Sequence, residues 1–263
     1  MSFYYEAACI CDMGRVRQNN EDNFFFNGQY MIRENTGLPG NLAFTYREDP
    51  SVFAVFDGMG GHDDGQIASY LCSAFMKKNA SVLQCRPGNE KLFTEFIRKM
   101  NQVVSREAEK NGSNMGSTAA IAVFSDESLT ITNVGDSRIY RLRDGKLEQL
   151  SLDHLEELPA DGSRHKARLT QCIGIPEEEM AIIPYINSFS VREGDIYLLC
   201  SDGLTDMLTD PEISMLLSRS PDLTEKAESL RKAAMQRGGK DNTTVVLVQI
   251  RRERENNSTE IGK

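Results

Sequence analysis

The sequence predicts an α+β fold in which antiparallel strands form the centre of the domain and helices pack outside them. Short runs of β-branched and aromatic residues recur along the chain. Those in its middle third follow one another too closely to leave room for crossover helices, so we expect hairpins there. Longer segments with apolar residues at three- and four-residue steps lie before and after these strands. Such a pattern is typical of a layered α+β domain.

The predicted strands are separated by turn residues. Gly135-Asp136-Ser137 divides two of them, and Asp144-Gly145 follows the next. The predicted strands cover residues 23–26, 52–56, 119–124, 129–134, 139–142, 195–199 and 243–250.

Three helices are predicted, at residues 64–78, 90–110 and 223–237. The second carries one apolar face that includes Phe93, Ile97 and Met100, and the third ends at Gly238-Gly239. Residues 33–49 and 155–166 are predicted to be loops. The chain shows no internal linker, so we expect one domain over residues 1–250 and a charged, disordered tail over 251–263.

The charge balance and the cysteines restrict the partners and the location. Thirty Lys and Arg residues against 39 Asp and Glu residues give a net charge of −9, which argues against nucleic acid or an anionic membrane as main partner. No apolar run approaches the roughly 20 residues that span a bilayer, and no signal peptide is visible. The six cysteines form no paired framework. We therefore expect a cytoplasmic protein.

Carboxylates stand repeatedly at the ends of predicted strands. Four aspartates, each near a glycine, occupy such positions and an acidic pair precedes another strand: Asp57, Asp136, Asp202, Asp241 and Glu21-Asp22. Each alone fits a solvated turn equally well, which is how we interpret Asp144 and Asp161. Strand ends converge, however, and clustered carboxylates repel one another unless a cation lies between them. Together they favour a Mg²⁺ or Mn²⁺ site.

Six motifs in order resemble the metal-dependent serine/threonine protein phosphatases (type 2C, PPM) in their bacterial single-domain form. They are GRVRQNNED, VFDGMGGH, GSTA, GDSRIY, SDGLTD and GGKDNTT, and they extend over nearly the whole chain. The resemblance implies a four-layer αββα sandwich of two antiparallel sheets flanked by helices. It also implies two Mn²⁺ or Mg²⁺ ions, with a third in some bacterial members.

The resemblance also assigns roles to individual residues. It implies that Arg17 grips the substrate phosphate and that the metal ligands are Asp57 bridging both ions, Gly58 through its carbonyl oxygen, Asp202 and Asp241 for the first ion, Glu21 and Asp22 for the second, and Asp136 for the third. A water or hydroxide bridging the two ions would attack phosphoserine or phosphothreonine directly, so no Ser or Cys nucleophile is needed. Implied partners are phosphoproteins, including substrates of a serine/threonine kinase. We expect a monomer.

Two positions depart from the family pattern. Where some members have a histidine proposed as the acid for the leaving group, this chain has Met59, and His62 is the nearest candidate. The usual mobile flap is replaced by a short basic segment with Arg164, Lys166 and Arg168, which we interpret as facing the phosphoprotein. His154 is interpreted as an ordinary surface residue.

Three other functions compete with this interpretation. Cys9 and Cys11 each precede an arginine by the spacing of cysteine-dependent phosphatases, although the segment has only one glycine to form a phosphate-binding loop. An aspartate-phosphorylating hydrolase would use Asp57 as nucleophile and favour parallel strands. A binding module without metals would have lost some of the carboxylates, and none is missing here.

Overall fold

The computed structural model describes residues 3–38, 40, 42–46, 51–60, 64–125, 127–157 and 167–252. In chain order its strands are β1 (Phe3–Asp12), β2 (Asp22–Phe26), β3 (Leu42–Tyr46), β4 (Ser51–Met59), β5 (Gly116–Ser117), β6 (Ala119–Ser125), β7 (Ser128–Val134), β8 (Arg138–Arg143), β9 (Lys146–Gln149), β10 (Tyr185–Ser190), β11 (Ile196–Cys200) and β12 (Thr243–Arg252). Its helices are α1 (Asp64–Cys85), α2 (Glu90–Asn111), α3 (Asp202–Thr205), α4 (Asp210–Arg219) and α5 (Leu223–Gln236).

The strands form two antiparallel sheets. The first sheet has the order β3-β1-β12-β11-β8-β9, and the second has the order β10-β7-β6-β4-β2, with β5 paired to β4. The tight connection between β6 and β7 is a hairpin, as the spacing of the runs predicted, and β8 forms another hairpin with β9. The hairpin expected between the runs at 129–134 and 139–142 is wrong, because β7 belongs to the second sheet and β8 to the first. The turn Gly135-Asp136-Ser137 therefore connects the two sheets.

Three apolar clusters hold four layers together. The central cluster lies between the sheets, where Phe124 contacts Tyr5 and Tyr197 with ring centroids 5.4 and 5.2 Å apart. A second cluster joins the second sheet to α1 and α2, and a third joins the first sheet to α3, α4 and α5. Because each sheet is apolar on both faces, each is covered on both sides. The four-layer αββα prediction is confirmed.

Most predicted elements exist, with differences at their ends. Helix α1 continues to Cys85, seven residues beyond its predicted end, and the predicted loop at 33–49 contains β3, whose partner is β1. Arg251 and Arg252, which we assigned to the tail, belong to β12 instead, because they pair with β1 and Arg251 donates to the Glu6 carboxylate. Residues 253–263 lie outside the described residues.

None of the five helices in the described ranges is both long and apolar enough to cross a membrane.

Candidate active site

The predicted carboxylates converge on one cleft, where the two sheets present their ends side by side. Asp57 lies on β4 and Asp136 follows β7 in the second sheet, whereas Asp202 follows β11 and Asp241 precedes β12 in the first. The cleft has a volume of about 330 Å³ and is lined by Arg17, Glu21, Asp57, Gly58, Met59, Gly60, Thr118, Asp136, Ala167, Leu169, Asp202 and Asp241.

Asp22 lies behind this lining and is buried. It is the first residue of β2 and pairs directly with Asp57 on β4. Its Oδ2 accepts hydrogen bonds from Ser201 Oγ at 2.6 Å and Thr244 Oγ1 at 2.7 Å, whereas its Oδ1 has no hydrogen-bond partner. Burial, opposed by the two hydroxyls and assisted by the charges of Asp202 and Asp241, raises the pKa of Asp22 to about 7.

Asp57 stands at the electrostatic centre of the site. Desolvation, followed by the negative charges of Asp22, Asp202, Asp136 and Asp241, raises the pKa of its carboxyl well above the usual value. Without a cation beside it, the Asp57 carboxyl would either take up a proton or be repelled by the neighbouring carboxylates. The carboxylate oxygens gathered here therefore fit a divalent cation that prefers oxygen ligands.

The backbone beside Asp57 leaves room only for glycine. A Cβ on Gly58 would collide with the Gly65 carbonyl group and lie 2.6 Å from the Glu21 carbonyl oxygen. The Gly58 N–H donates to that same Glu21 oxygen at 3.1 Å. Gly58 therefore lets the start of α1 pack directly against β4 beside Asp57.

Arg17 reaches across the cleft from the loop between β1 and β2. Its Nη2 donates to Asp241 Oδ2 at 2.7 Å, and its Nη1 lies 3.9 Å from Glu21 Oε2. The hydrogen bond that Arg17 donates to Asp241 is the main reason that the pKa of Arg17 is raised. The Arg17 side chain remains 48% exposed and lines the cleft.

Among the described residues, no three His, Cys, Asp or Glu side chains are already grouped as a closed metal shell. Arg17 donates a hydrogen bond to one oxygen of Asp241, and the carboxylates around Asp57 contribute to its raised pKa. The partnerless buried Asp22 Oδ1 and the raised pKa of Asp57 are nevertheless the features that a bound cation would satisfy. The residues present therefore fit the ions that the resemblance implies.

The other residues predicted to belong to the site lie outside the cleft or outside the described residues. Arg168 is exposed, and its carbonyl oxygen accepts from the Glu156 N–H at 2.9 Å, while its neighbours Ala167 and Leu169 line the cleft. His62, Arg164 and Lys166 fall outside the described residues, so their predicted roles stay predictions.

Several side chains that support the site were not singled out by the sequence. Asn242 donates to the Met13 and Asn19 carbonyl oxygens at 2.8 and 2.9 Å and accepts from the Glu21 N–H at 2.8 Å, which fixes the Arg17 loop. Thr118 Oγ1 accepts from the Asp57 N–H at 3.0 Å. In the sequence, the only indication of a role for Asn242 and Thr118 was their position inside the GGKDNTT and GSTA motifs.

The geometry disfavours both competing enzymes. Cys9 and Cys11 are fully buried on β1, and burial raises the pKa of Cys11 to about 12, so neither thiol is available as a thiolate nucleophile. Every strand pair in the described part of the chain is antiparallel, unlike the parallel sheet expected for a phosphoaspartate hydrolase.

Comparison with known proteins agrees with this arrangement. The family model described as Protein phosphatase 2C matches residues 8–168. A serine/threonine phosphatase stp of Listeria monocytogenes is 31% identical over 257 residues, which cover 90% of this chain and 93% of that protein.

Solved structures give the same result. The Mycobacterium tuberculosis serine/threonine phosphatase PstP/Ppp is 28% identical, has a TM-score of 0.75, and aligns with 95% of this chain and 100% of its own. A PstP catalytic domain in complex with two manganese ions is 27% identical, with a TM-score of 0.74 and the same coverage.

An acidic cleft between two antiparallel sheets, with an arginine at its edge, defines a phosphohydrolase of the metal-dependent class. The chain belongs to the protein phosphatase 2C family. The predicted family and enzyme class are confirmed.

Proposed function

We propose that this chain hydrolyses phosphoserine and phosphothreonine in proteins with two Mn²⁺ or Mg²⁺ ions, as a monomer with a single domain over about residues 1–250. The main supporting observation is that four aspartates line one cleft and a fifth, Asp22, is buried behind it, and that burial and four like charges raise the pKa of Asp57. Only a cation relieves that repulsion without protonating the carboxylates.

In this proposal Asp57 would be the ligand that both ions share, and the Gly58 carbonyl oxygen would be a further ligand. Asp202 and Asp241 would hold the first ion, Glu21 and Asp22 would hold the second, directly or through water, and Asp136 with Asp202 would hold a third. When bound, the ions supply an activated water for in-line attack and neutralise charge on the phosphoryl oxygens.

Support for the second ion comes from the hydrogen bonds of Asp22. Ser201 and Thr244 both donate to Oδ2, so the carboxylate is held in one orientation and Oδ1 is the oxygen left for a ligand. The two donors also favour the ionised form that a cation needs.

Arg17 binds the phosphate of the substrate. Asp241 and Glu21 attract the guanidinium from two sides, while the half-exposed Arg17 side chain lines the cleft. A planar guanidinium donates two parallel hydrogen bonds to a phosphate, and this geometry fixes the phosphorus for attack.

Next to the cleft, the exposed Arg168 marks the end of the basic segment with Arg164 and Lys166, for which we propose contact with the phosphoprotein. Phosphoproteins made by a serine/threonine kinase are the proposed substrates.

Phosphate release from a phosphothreonine peptide tests this function. The purified chain is assayed with Mn²⁺, with Mg²⁺, with excess EDTA, and after thiol alkylation. We expect activity with a metal, none in EDTA, and little effect of alkylation, because Cys9 and Cys11 are buried. Activity that survives EDTA would overturn the proposal, and inactivity with metal bound would favour the binding module.

A further inference from the structure

His154 is bonded to the turn that carries Asp136. The backbone N–H of Gly135 donates to the ring atom Nδ1 of His154 at 3.1 Å. The backbone N–H of His154 donates to the Gly135 carbonyl oxygen at 3.0 Å. Gly135 has a φ of +96°, and a Cβ there would lie 2.7 Å from Thr118 Cγ2. The positive φ and the close contact with Thr118 restrict the conformation of the turn at Gly135. The ring of His154 supplies the acceptor for the Gly135 backbone N–H. The interpretation of His154 as an ordinary surface residue is wrong.

The same histidine is bonded to the segment on the other side of the cleft. Its carbonyl oxygen accepts from the Thr170 N–H at 2.9 Å. Leu155 then bridges to Leu169, and the Glu156 N–H donates to the Arg168 carbonyl oxygen. Because Leu169 and Asp136 both line the cleft, His154 joins two of its walls.

The contacts determine the protonation state of the ring. A backbone N–H only donates, so Nδ1 carries no proton and the neutral ring carries its proton on Nε2. Burial lowers the pKa of His154, opposed by the charge of Asp153. Asp153 is itself bonded to Arg138, whose Nε and Nη2 donate at 2.9 and 2.7 Å, and this pair anchors the segment from which His154 projects.

We propose that His154 is a positioning residue that fixes the spacing between the Asp136 turn and the segment at 167–169. This rests on the proposed function, because the two walls matter only if a phosphoprotein lies between them. A peptide chain entering the cleft contacts both walls, whereas a small phosphate ester reaches only the centre between the aspartates. His154 thus contributes to the binding of phosphoprotein more than to the chemical step.

Two substitutions separate the ring nitrogen from the bulk of the side chain. In His154→Asn the Oδ1 atom occupies the place of Nδ1 and accepts from the Gly135 N–H, whereas His154→Ala leaves that amide without an acceptor. We expect the Ala variant to raise KM for a phosphothreonine peptide about tenfold and to leave kcat for p-nitrophenyl phosphate within about twofold. The Asn variant is expected to restore most of the peptide KM.

Nuclear magnetic resonance tests the contact without relying on activity. In metal-free buffer, long-range ¹H–¹⁵N spectra of the wild type contain one set of ring signals that is absent from His154→Asn, and we expect this set to show a bare Nδ1 and a protonated Nε2. The chain has three histidines, so the assignment is direct. The Gly135 amide should exchange slowly in the wild type and the Asn variant and quickly in the Ala variant.

The outcomes distinguish the two proposals. A wild type that hydrolyses neither substrate overturns the proposed function. An active wild type with a protonated Nδ1 on His154, or Asn and Ala variants that raise the peptide KM equally, overturns the positioning role alone.

Discussion

Asp22 and Asp57 face each other in register across β2 and β4, and both carboxyls have raised pKa values. The first is held by two hydroxyls from the opposite sheet, and the second lies on the lining of the cleft. This pairing places two mutually repelling charges side by side on neighbouring strands of the second sheet. The cost to folding and the capacity to bind a cation therefore have the same origin.

Asp57→Asn should separate these two effects. Removing one charge from the cluster should raise the free energy of unfolding in EDTA by about 1 kcal/mol. It should also reduce phosphatase activity in Mn²⁺ by more than about 100-fold, since a bridging ligand is lost. Urea unfolding with and without Mn²⁺ measures the first effect. A variant less stable than the wild type in EDTA would contradict the repulsion.

Replacing Arg17 should weaken binding of the substrate phosphate. We expect Arg17→Ala to lower kcat/KM for a phosphothreonine peptide about 10- to 100-fold. Arg17→Lys should retain only part of the wild-type kcat/KM, because an ammonium lacks the planar pair of donors. Arg15→Ala, in the same loop but outside the cleft lining, is the matched control. Equal activity of the Lys variant and the wild type would argue against bidentate binding.

Asn242 should matter for the stability of the Arg17 loop. Its side chain makes three hydrogen bonds to the backbone of Met13, Asn19 and Glu21. Asn242→Ala should lower the free energy of unfolding by about 2–3 kcal/mol, since the buried Asn242 amide and its three hydrogen bonds are lost. The control is Asn111→Ala at the exposed end of α2, which should cost less than about 0.5 kcal/mol. Similar losses in both variants would refute the bracing role.

Thr118 should show a dependence on its hydroxyl. Its Oγ1 accepts from the Asp57 N–H and lies 2.7 Å from Ser137 Oγ. Thr118→Val keeps the shape but leaves the Asp57 amide unsatisfied, at an expected cost of about 1–3 kcal/mol in urea unfolding, with lower activity. Thr118→Ser keeps the hydroxyl and should behave much like the wild type. Equal stability and equal activity of the Thr118→Val and Thr118→Ser variants would show that the hydroxyl does not hold Asp57.

Most of the central strands could be predicted because their sequences are apolar at consecutive positions, which indicates burial on both faces of a sheet. Runs such as Val52–Phe56 and 243–250 are continuous in β-branched and aromatic residues, and they form β4 and β12. The ten-residue β1 was missed although it is largely buried and lies between β3 and β12. The other missed strands have a weaker signal. β9 and β10 are short, polar and exposed, and β3 lies at the edge of the first sheet within a segment rich in turn residues.

The candidate site was predictable only in its charged residues. Asp57, Asp202 and Asp241 stand out because they interrupt apolar strands, and the motifs place them in one family. The residues that orient them do not stand out. Ser201 and Asp22 lie 179 positions apart, and the contact between His154 and Gly135 needs the fold before it can be seen.

Anomalous diffraction from crystals of the chain grown with Mn²⁺ is the most direct test of the metal centre, because it locates the ions independently of any substrate. We expect two peaks that share the Asp57 carboxylate, one also contacting Asp202 and Asp241 and the other on the side of Glu21 and Asp22. A cleft without manganese peaks, or peaks that do not contact Asp57, would contradict the dinuclear site.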